Sequence, residues 1–297
     1  MTPHHRPARP GSPRARPRPP RLLLVTDLSY PARGRRYGEE DTWLASRLRE
    51  EFDLALCHPR DARALAGSFD AVLVRNSGPV LHHREAWEAF RAHALATGLR
   101  VYNPLTGKGD MAGKGYLLDL TAAGYPVIPT VDRAGDLHRL PEAASYAVKP
   151  VAGADSVGLE FLPREEVAAR LDGTVLAQPR VDFRYEVSFV YVDRGFRYAL
   201  HAPDPERRWE LVPYEPTGTD LAFAGRFVEW NGLAHGVTRV DACRTREGEL
   251  LLVELEDLNP YLSLDLLGAE AREGFVAALK RSLRRFLTEE PDVAAER

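Results

Sequence analysis

The chain reads as an α/β unit with a parallel sheet, followed by a larger α+β region. Three observations predict this. Between residues 21 and 104, apolar runs alternate with helical patterns, the signature of strands joined by crossover helices. From about residue 145 onward, strand-like runs are grouped and joined by short turns, which points to antiparallel pairing. The 297 residues, 44% of them hydrophobic, suffice for a sizeable core and for more than one domain.

Taken in order, "RLLLVTDL" (21–28) is a buried strand, and "EEDTWLASRLREEF" (39–52) carries Trp43, Leu44 and Leu48 at helical spacing. "LALC" (54–57) and "DAVLVRN" (70–76) are further strands. "REAWEAFRAHALATG" (84–98) is a helix stopped by glycine and followed by the strand "RVYN". Residues 114–124 form a short helix, and "YPVIPTV" is extended. "SYAVKPVAGADSVGLEFL" (145–162) reads as strand, small-residue loop, strand, and "PREEVAARL" (163–171) as a helix. Residues 174–182, 185–200 and 236–256 are strands and hairpins, and an amphipathic helix at about 268–287 closes the pattern. Residues 201–232 are a long polar-aromatic segment with no assigned structure.

The first twenty residues, "MTPHHRPARPGSPRARPRPP", have no apolar face to offset their ordering entropy and are expected to be a disordered basic tail. They lack the apolar centre of a signal peptide. A net charge of −3 gives no strong pull toward nucleic acid or an anionic membrane. Cys57 and Cys243 have neither disulfide-framework nor zinc-site spacing. No run of about 18 apolar residues marks a membrane span, and a cytoplasmic setting is expected.

Basic residues are nearly all arginine; the lysines are Lys108, Lys114, Lys149 and Lys280. Lysine is a compact point charge suited to phosphate, and arginine does not replace it freely. The second feature is "ELLLVELEDLNP" (249–260), an apolar strand that turns acidic. With Glu247-Gly248 as the turn, Asp241 pairs with Glu254 and Arg239 with Glu256, all on one face. Carboxylates about 4 Å apart repel by roughly 4 kcal/mol at an effective dielectric of 20. A divalent cation would relieve this, and oxygen-only ligands point to Mg²⁺ or Mn²⁺. A solvated strand face with surface ion pairs would give the same pattern, and the residues alone leave both readings open. Asn259 ranks behind Glu256 as a ligand because it falls off the strand period. Arg75 and Asn76, at a predicted strand end, are weighed as cleft-facing residues. His201 and His235 are read as surface or core histidines.

"GKGDMAGKG" is not a P-loop, since Gly115 stands where Ser or Thr belongs. In combination, however, "NPLTGKGDMAGKGYLLDLTAAGYPVIPT", "AVKPVAGADSVG", "LAQPRVDFRYEVSFVY" and "TRVDACR…LLLVELEDLNP" resemble the ATP-grasp superfamily, in particular its glutathione synthetase-like and D-alanine–D-alanine ligase-like members. The resemblance runs from about Asn103 to Asp265. It implies an α/β pre-ATP-grasp domain with a parallel sheet (21–104) and an α+β ATP-grasp fold of two subdomains, 105–175 and 176–290, clasping ATP. Lys114 and Lys149 would meet phosphates, as would the loop with Gly153 and Ser156. Gln178 and the Val181 backbone would meet adenine, and Glu186 the ribose. Gly113, where the family usually has Asp, is a departure. Asp241, Glu254 and Glu256 would hold the metal, and Arg239 would stabilise the oxyanion.

The implied activity is an ATP-dependent carboxylate–amine ligase that forms an amide or peptide bond through an acylphosphate. Its partners would be ATP and a small carboxylate and amine, and a homodimer is compatible with this. A small-molecule kinase of the same fold and a protein-modifying ligase docked by its basic tail are the alternatives.

Overall fold

The computed structural model of the chain describes residues 18–32, 35–75, 80–152, 158–258 and 260–289. The expected tail therefore lies almost wholly outside the described residues, as do Asn76, Gly153, Ser156 and Asn259.

β1 (Arg21–Val25) is followed by a small ribbon, β2 (Pro31–Ala32) with β3 (Arg35–Arg36), and by α1 (Tyr37–Leu48). Then come β4 (Asp53–Cys57), α2 (Ala62–Leu65), β5 (Ala71–Val74), α3 (Val80–Thr97) and β6 (Val101–Tyr102). Four of these strands make a parallel sheet of order β4-β1-β5-β6. Leu22 and Leu24 pack on one core with Leu44 and Leu48, while Leu23 and Val25 pack on another with Trp87 and Phe90. Both faces of β1 are covered, which is why its sequence is continuously apolar instead of alternating.

Helix α4 (Tyr116–Ala122) leads to β7 (Val131–Arg133), β8 (Tyr146–Pro150), β9 (Glu160–Leu162), α5 (Arg164–Val167) and β10 (Asp172–Pro179). These four strands form an antiparallel sheet of order β7-β10-β8-β9. β10 runs across residue 175, and α5 spans four residues where the pattern over 163–171 predicts a longer helix. A second antiparallel sheet has order β13-β12-β11-β14-β15. Its strands are β11 (Phe183–Val192), β12 (Gly195–Ala202), β13 (Val212–Tyr214), β14 (Val237–Thr245) and β15 (Leu250–Glu256).

Between β13 and β14 lies α6 (Gly218–Asn231), a helix that the reading of 201–232 leaves out. Its signals are nonetheless local. Thr217 and Asp220 form a capping box, and Gly232 ends the helix at φ 74°. Phe223, Phe227 and Val228 pack on Val187, Phe189 and Val240 of the five-stranded sheet. The C-terminal α7 (Ala269–Thr288) buries Phe275, Leu279 and Leu283 against α1 and the sheets.

The parallel sheet is tied to the rest by buried polar contacts. Asn103 receives the Val237 N–H at 2.7 Å and donates to the Val237 carbonyl at 2.7 Å. Arg75 is 2% exposed, so the cleft-facing reading of this residue is corrected. It donates to Asp41 at 3.0 Å and to Glu40 at 3.2 Å instead. A guanidinium at the end of β5 was available to carboxylates from the helix packed beside it, and burial without them would be prohibitive. Glu40 in turn accepts the Leu262 and Leu264 amides at 3.0 and 2.9 Å.

Two carboxylates share one arginine here. Burial raises Glu40, and Asp41 adds to that. Arg75 and the two amides offset only part, so Glu40 sits at about 7 against an ordinary 4.5. The unfolded chain releases this proton near 4.5, so the folded state holds more protons between about pH 4.5 and 7. The contribution of Glu40 to stability is thus complete below that window and declines as pH rises through it. Glu40→Gln, which cannot ionise, removes the decline. Urea unfolding at pH 5 and pH 8 should show wild type losing on the order of 3 kcal/mol relative to Glu40→Gln; parallel pH curves would refute this.

Candidate active site

The acidic hairpin is built by two compensating irregularities. Its turn is the three-residue segment Arg246–Gly248: the Thr245 amide donates to the Glu249 carbonyl at 2.8 Å, and Gly248 has φ 97°. The two-residue turn assumed from Glu247-Gly248 is therefore off by one, and Cys243 pairs with Leu251 and Arg244 with Leu250. A β-bulge at Val253 then inserts one residue into β15 and restores the expected partners, Asp241 with Glu254 and Arg239 with Glu256. The bulge also flips the side-chain alternation. Leu250, Leu252 and Leu255 all enter one apolar core, while Glu254 and Glu256 project from the opposite face.

On that face Asp241, Glu254 and Glu256 each bring one carboxylate oxygen to within 4.8 Å of the others. Arg239 lies between them, donating to Asp241 at 2.8–3.1 Å, to Glu256 at 2.7 Å and to the Tyr261 carbonyl at 2.6 Å. Lys114, 8% exposed, closes the group with an ion pair to Glu254. Burial alone would raise Glu254, yet Lys114 and Lys149, with Arg239, hold its carboxyl at about 2. Glu256 goes the other way. Burial and the neighbouring Asp241 and Glu254 lift it to about 8 despite Arg239. Burial draws Lys149 down to about 8, with Lys114 and Arg208 adding to this and Glu254 opposing it.

Lys114, Lys149 and Glu254 of this group edge a cavity of about 680 Å³ between the two antiparallel sheets, and Asp241, Glu256 and Arg239 stand outside its lining. Lys114, Lys149, Gln178, Val181, Glu186 and Glu254 line it. Lys149 and Ala147 of β8 share a face with Gln178 of β10, through the pairing Ala147↔Gln178 and Lys149↔Leu176. Glu186 on β11 pairs with Cys243, and Ser188 with Asp241, so Glu186 stands on the same sheet face as the carboxylate group. Gln178 uses its amide N–H groups internally, toward the Thr130 hydroxyl at 2.8 Å and the Ile128 carbonyl at 3.3 Å. Its carbonyl oxygen is what it can still offer. Among the described residues, no hydrogen bond engages the N–H or C=O of Val181, so both are available at the cavity edge.

One participant was not legible in the sequence. Arg208, from the segment after β12, donates to Glu186 at 2.7 Å and lines the same cavity. Nothing in its local pattern distinguishes it from the many surface arginines. "GKGD" has a role that its glycines hint at. Asp257 accepts the Gly109 and Met111 amides at 2.9 and 2.8 Å, and a side chain at Gly109 would come 2.6 Å from the Leu255 carbonyl. Asp110 answers by accepting the Asp257 and Leu258 amides at 2.6 and 2.8 Å. The loop thus cradles a carboxylate at the base of β15 and holds the acidic strand end in place.

The donor set suits a hard divalent ion. It is all oxygen, converges from two paired strands, and reaches through Glu254 a cavity large enough for a nucleotide. No helix among the described residues is long and apolar enough to cross a membrane.

No family model matches the chain, and no curated protein matches it. Solved structures do. It is similar to the D-cycloserine synthetase DcsG, with 24% identity over 89% of this chain and 99% of that one and a TM-score of 0.69. It is similar to the ATP-grasp ligase PsnB complexed with minimal precursor, at 17% identity, 88% and 98% coverage and a TM-score of 0.61. It is also similar to the D-alanine–D-alanine ligase from Bacillus anthracis complexed with ATP, at 10% identity, 90% and 98% coverage and a TM-score of 0.62. Matched over most of its length by these structures, with a parallel sheet ahead of two antiparallel sheets that face one cavity, the chain has the ATP-grasp fold.

Proposed function

We propose that this protein is an ATP-dependent carboxylate–amine ligase. The observation that carries the reading is that Lys114, Lys149 and Glu254 line one cavity between two sheets, and that Glu254 also belongs to the group with Asp241 and Glu256. Structures of similar fold include a D-cycloserine synthetase, a D-alanine–D-alanine ligase complexed with ATP, and a ligase complexed with a precursor.

In this reading Lys114 and Lys149 bind the phosphates, and Lys149 becomes fully protonated as the anion approaches. The Val181 backbone and the Gln178 carbonyl oxygen orient the base, and Glu186 takes the ribose once Arg208 has moved from it toward the phosphates. Asp241, Glu254 and Glu256 would hold Mg²⁺ or Mn²⁺, which supplies charge neutralisation for phosphoryl transfer. Arg239, held by Asp241, Glu256 and the Tyr261 carbonyl, would face the oxygen that becomes negative when the amine attacks. The acid is first phosphorylated by ATP. The amine nitrogen then bonds to the acyl carbon, phosphate leaves with the C–O electron pair, and the amine proton passes to solvent.

The test is an ADP-release screen with pooled carboxylic acids and amines plus Mg²⁺, followed by mass analysis. A ligase releases ADP in proportion to amide formed and needs both reactants. A phosphorylated product formed from one substrate alone would favour the kinase instead. In that assay Asp241→Asn should lower turnover about 100-fold or more, because several kcal/mol of charge stabilisation is lost. Full turnover in this variant would refute the metal assignment. A charged hydrogen bond contributes about 1.5–3 kcal/mol, so Lys149→Met should raise the KM for ATP about tenfold or more; an unchanged KM removes Lys149 from the phosphate site.

A further inference from the structure

A second group of metal-ligating side chains lies away from the cavity, on the parallel sheet. Asp27 follows β1, and His58 follows β4 directly. The two strands run side by side, Val25 paired with Cys57, so both residues emerge at the same carboxyl edge. His83 arrives from α3, at the point where that helix is broken by a non-helical residue (φ −131°, ψ 28°). In open α/β sheets this edge is where ligands bind.

The three side chains converge. His83 Nε2 is 2.9 Å from Asp27 Oδ2, and His58 Nε2 is 3.9 Å from Asp27 Oδ1. One ligand atom from each lies within 4.8 Å of the others, and the two imidazole rings meet edge to face at 4.8 Å. A tetrahedral zinc ion with bonds of about 2.0–2.1 Å sets its ligands roughly 3.3 Å apart. The two observed separations, measured to the two different oxygens of Asp27, lie on either side of that spacing. Asp27 is oriented from behind, accepting the Ser29 amide and hydroxyl at 3.0 Å each.

The group is not satisfied by itself. At 3.9 Å, His58 Nε2 is too far from Asp27 for a hydrogen bond. His83 is 92% buried by side chain, and its Nδ1 has no hydrogen-bond partner among the described residues. An ion closes the first gap. We propose that Asp27, His58 and His83 form a second cation site that takes a zinc-like divalent ion. Two imidazole nitrogens and one carboxylate select a softer ion than the all-oxygen group at Asp241 does. The Arg60 amide donates to His58 Nδ1 at 3.2 Å, which puts the ring proton on Nε2. An ion bound at Nε2 requires that proton on Nδ1, where it would face the Arg60 N–H, so the exposed Arg60 amide must turn away from the ring. His58 is 36% exposed and supplies the entry path. Three ligands leave one coordination position open to water or a small anion.

The full-length protein should be titrated with zinc in excess Mg²⁺, and separately loaded with Co²⁺ for visible absorption. One zinc ion per chain that Mg²⁺ does not displace is expected, with the intense Co²⁺ band of a four-coordinate, nitrogen-containing site. His58→Ala and His83→Ala should each weaken zinc binding by about 100-fold or more. Asp241→Asn should leave it unchanged, as should removal of residues 1–17, which carry His4 and His5. Absence of zinc uptake overturns the proposal. So does uptake abolished by Mg²⁺, by Asp241→Asn or by tail removal, or uptake that survives both histidine variants. Where a histidine variant fails to fold, the wild-type Co²⁺ spectrum decides: a weak octahedral spectrum rejects the site.

Discussion

The structure around the cavity depends on one constraint: clustered carboxylates can be buried only where cations or backbone amides are built in beside them. Asp241, Glu254 and Glu256 would repel strongly on a half-buried strand face. Arg239 threads between two of them, and Lys114 meets the third. The uneven outcome, with Glu254 held low and Glu256 pushed high, reflects which carboxylate has the lysines. A site already balanced by movable cations can exchange one partner for another. In the proposed function, that exchange is what would let a metal and a polyphosphate enter together.

The same constraint recurs where the parallel sheet meets this face. Arg75 is buried with Glu40 and Asp41, and Glu40 reaches across to the amides at Leu262 and Leu264. Those amides lie just beyond Tyr261, whose carbonyl holds Arg239. The parallel sheet and the acidic face are therefore braced through one short segment. Asp110 and Asp257 form a third such arrangement, satisfied by backbone amides instead of cations. In each case a buried ionisable group acts less as a source of stability than as a demand for a particular neighbour.

Backbone irregularity does comparable work in β15. Regular alternation from Leu250 would have placed Leu252 on the same face as Glu254 and Glu256. The extra residue at Val253 lets Leu252 and Leu255 both reach the apolar core and turns the glutamates toward the cavity. The three-residue turn at Arg246–Gly248 brings the strands together one step out of register with that end, and the bulge absorbs the difference.

What the sequence by itself determined is whatever depends on near neighbours. The alternation of strands and helices, the apolar filling of β1, and the pairing of Arg239 and Asp241 with Glu256 and Glu254 are set within one hairpin or one element. Lys114 and Lys149 stood out because lysine is scarce in an arginine-rich chain. Helix α6 was legible too, in Thr217, Asp220 and Gly232, but its polar-aromatic composition hid the cap signals. Tertiary structure alone decided the rest. Arg208 on Glu186, Arg75 between two carboxylates, and Asp27 with His58 and His83 each join residues from different elements, with no local pattern announcing them. Their placement depends on how the sheets close on one another. A charged or imidazole side chain carries no periodic signal, and only burial reveals which partner it requires.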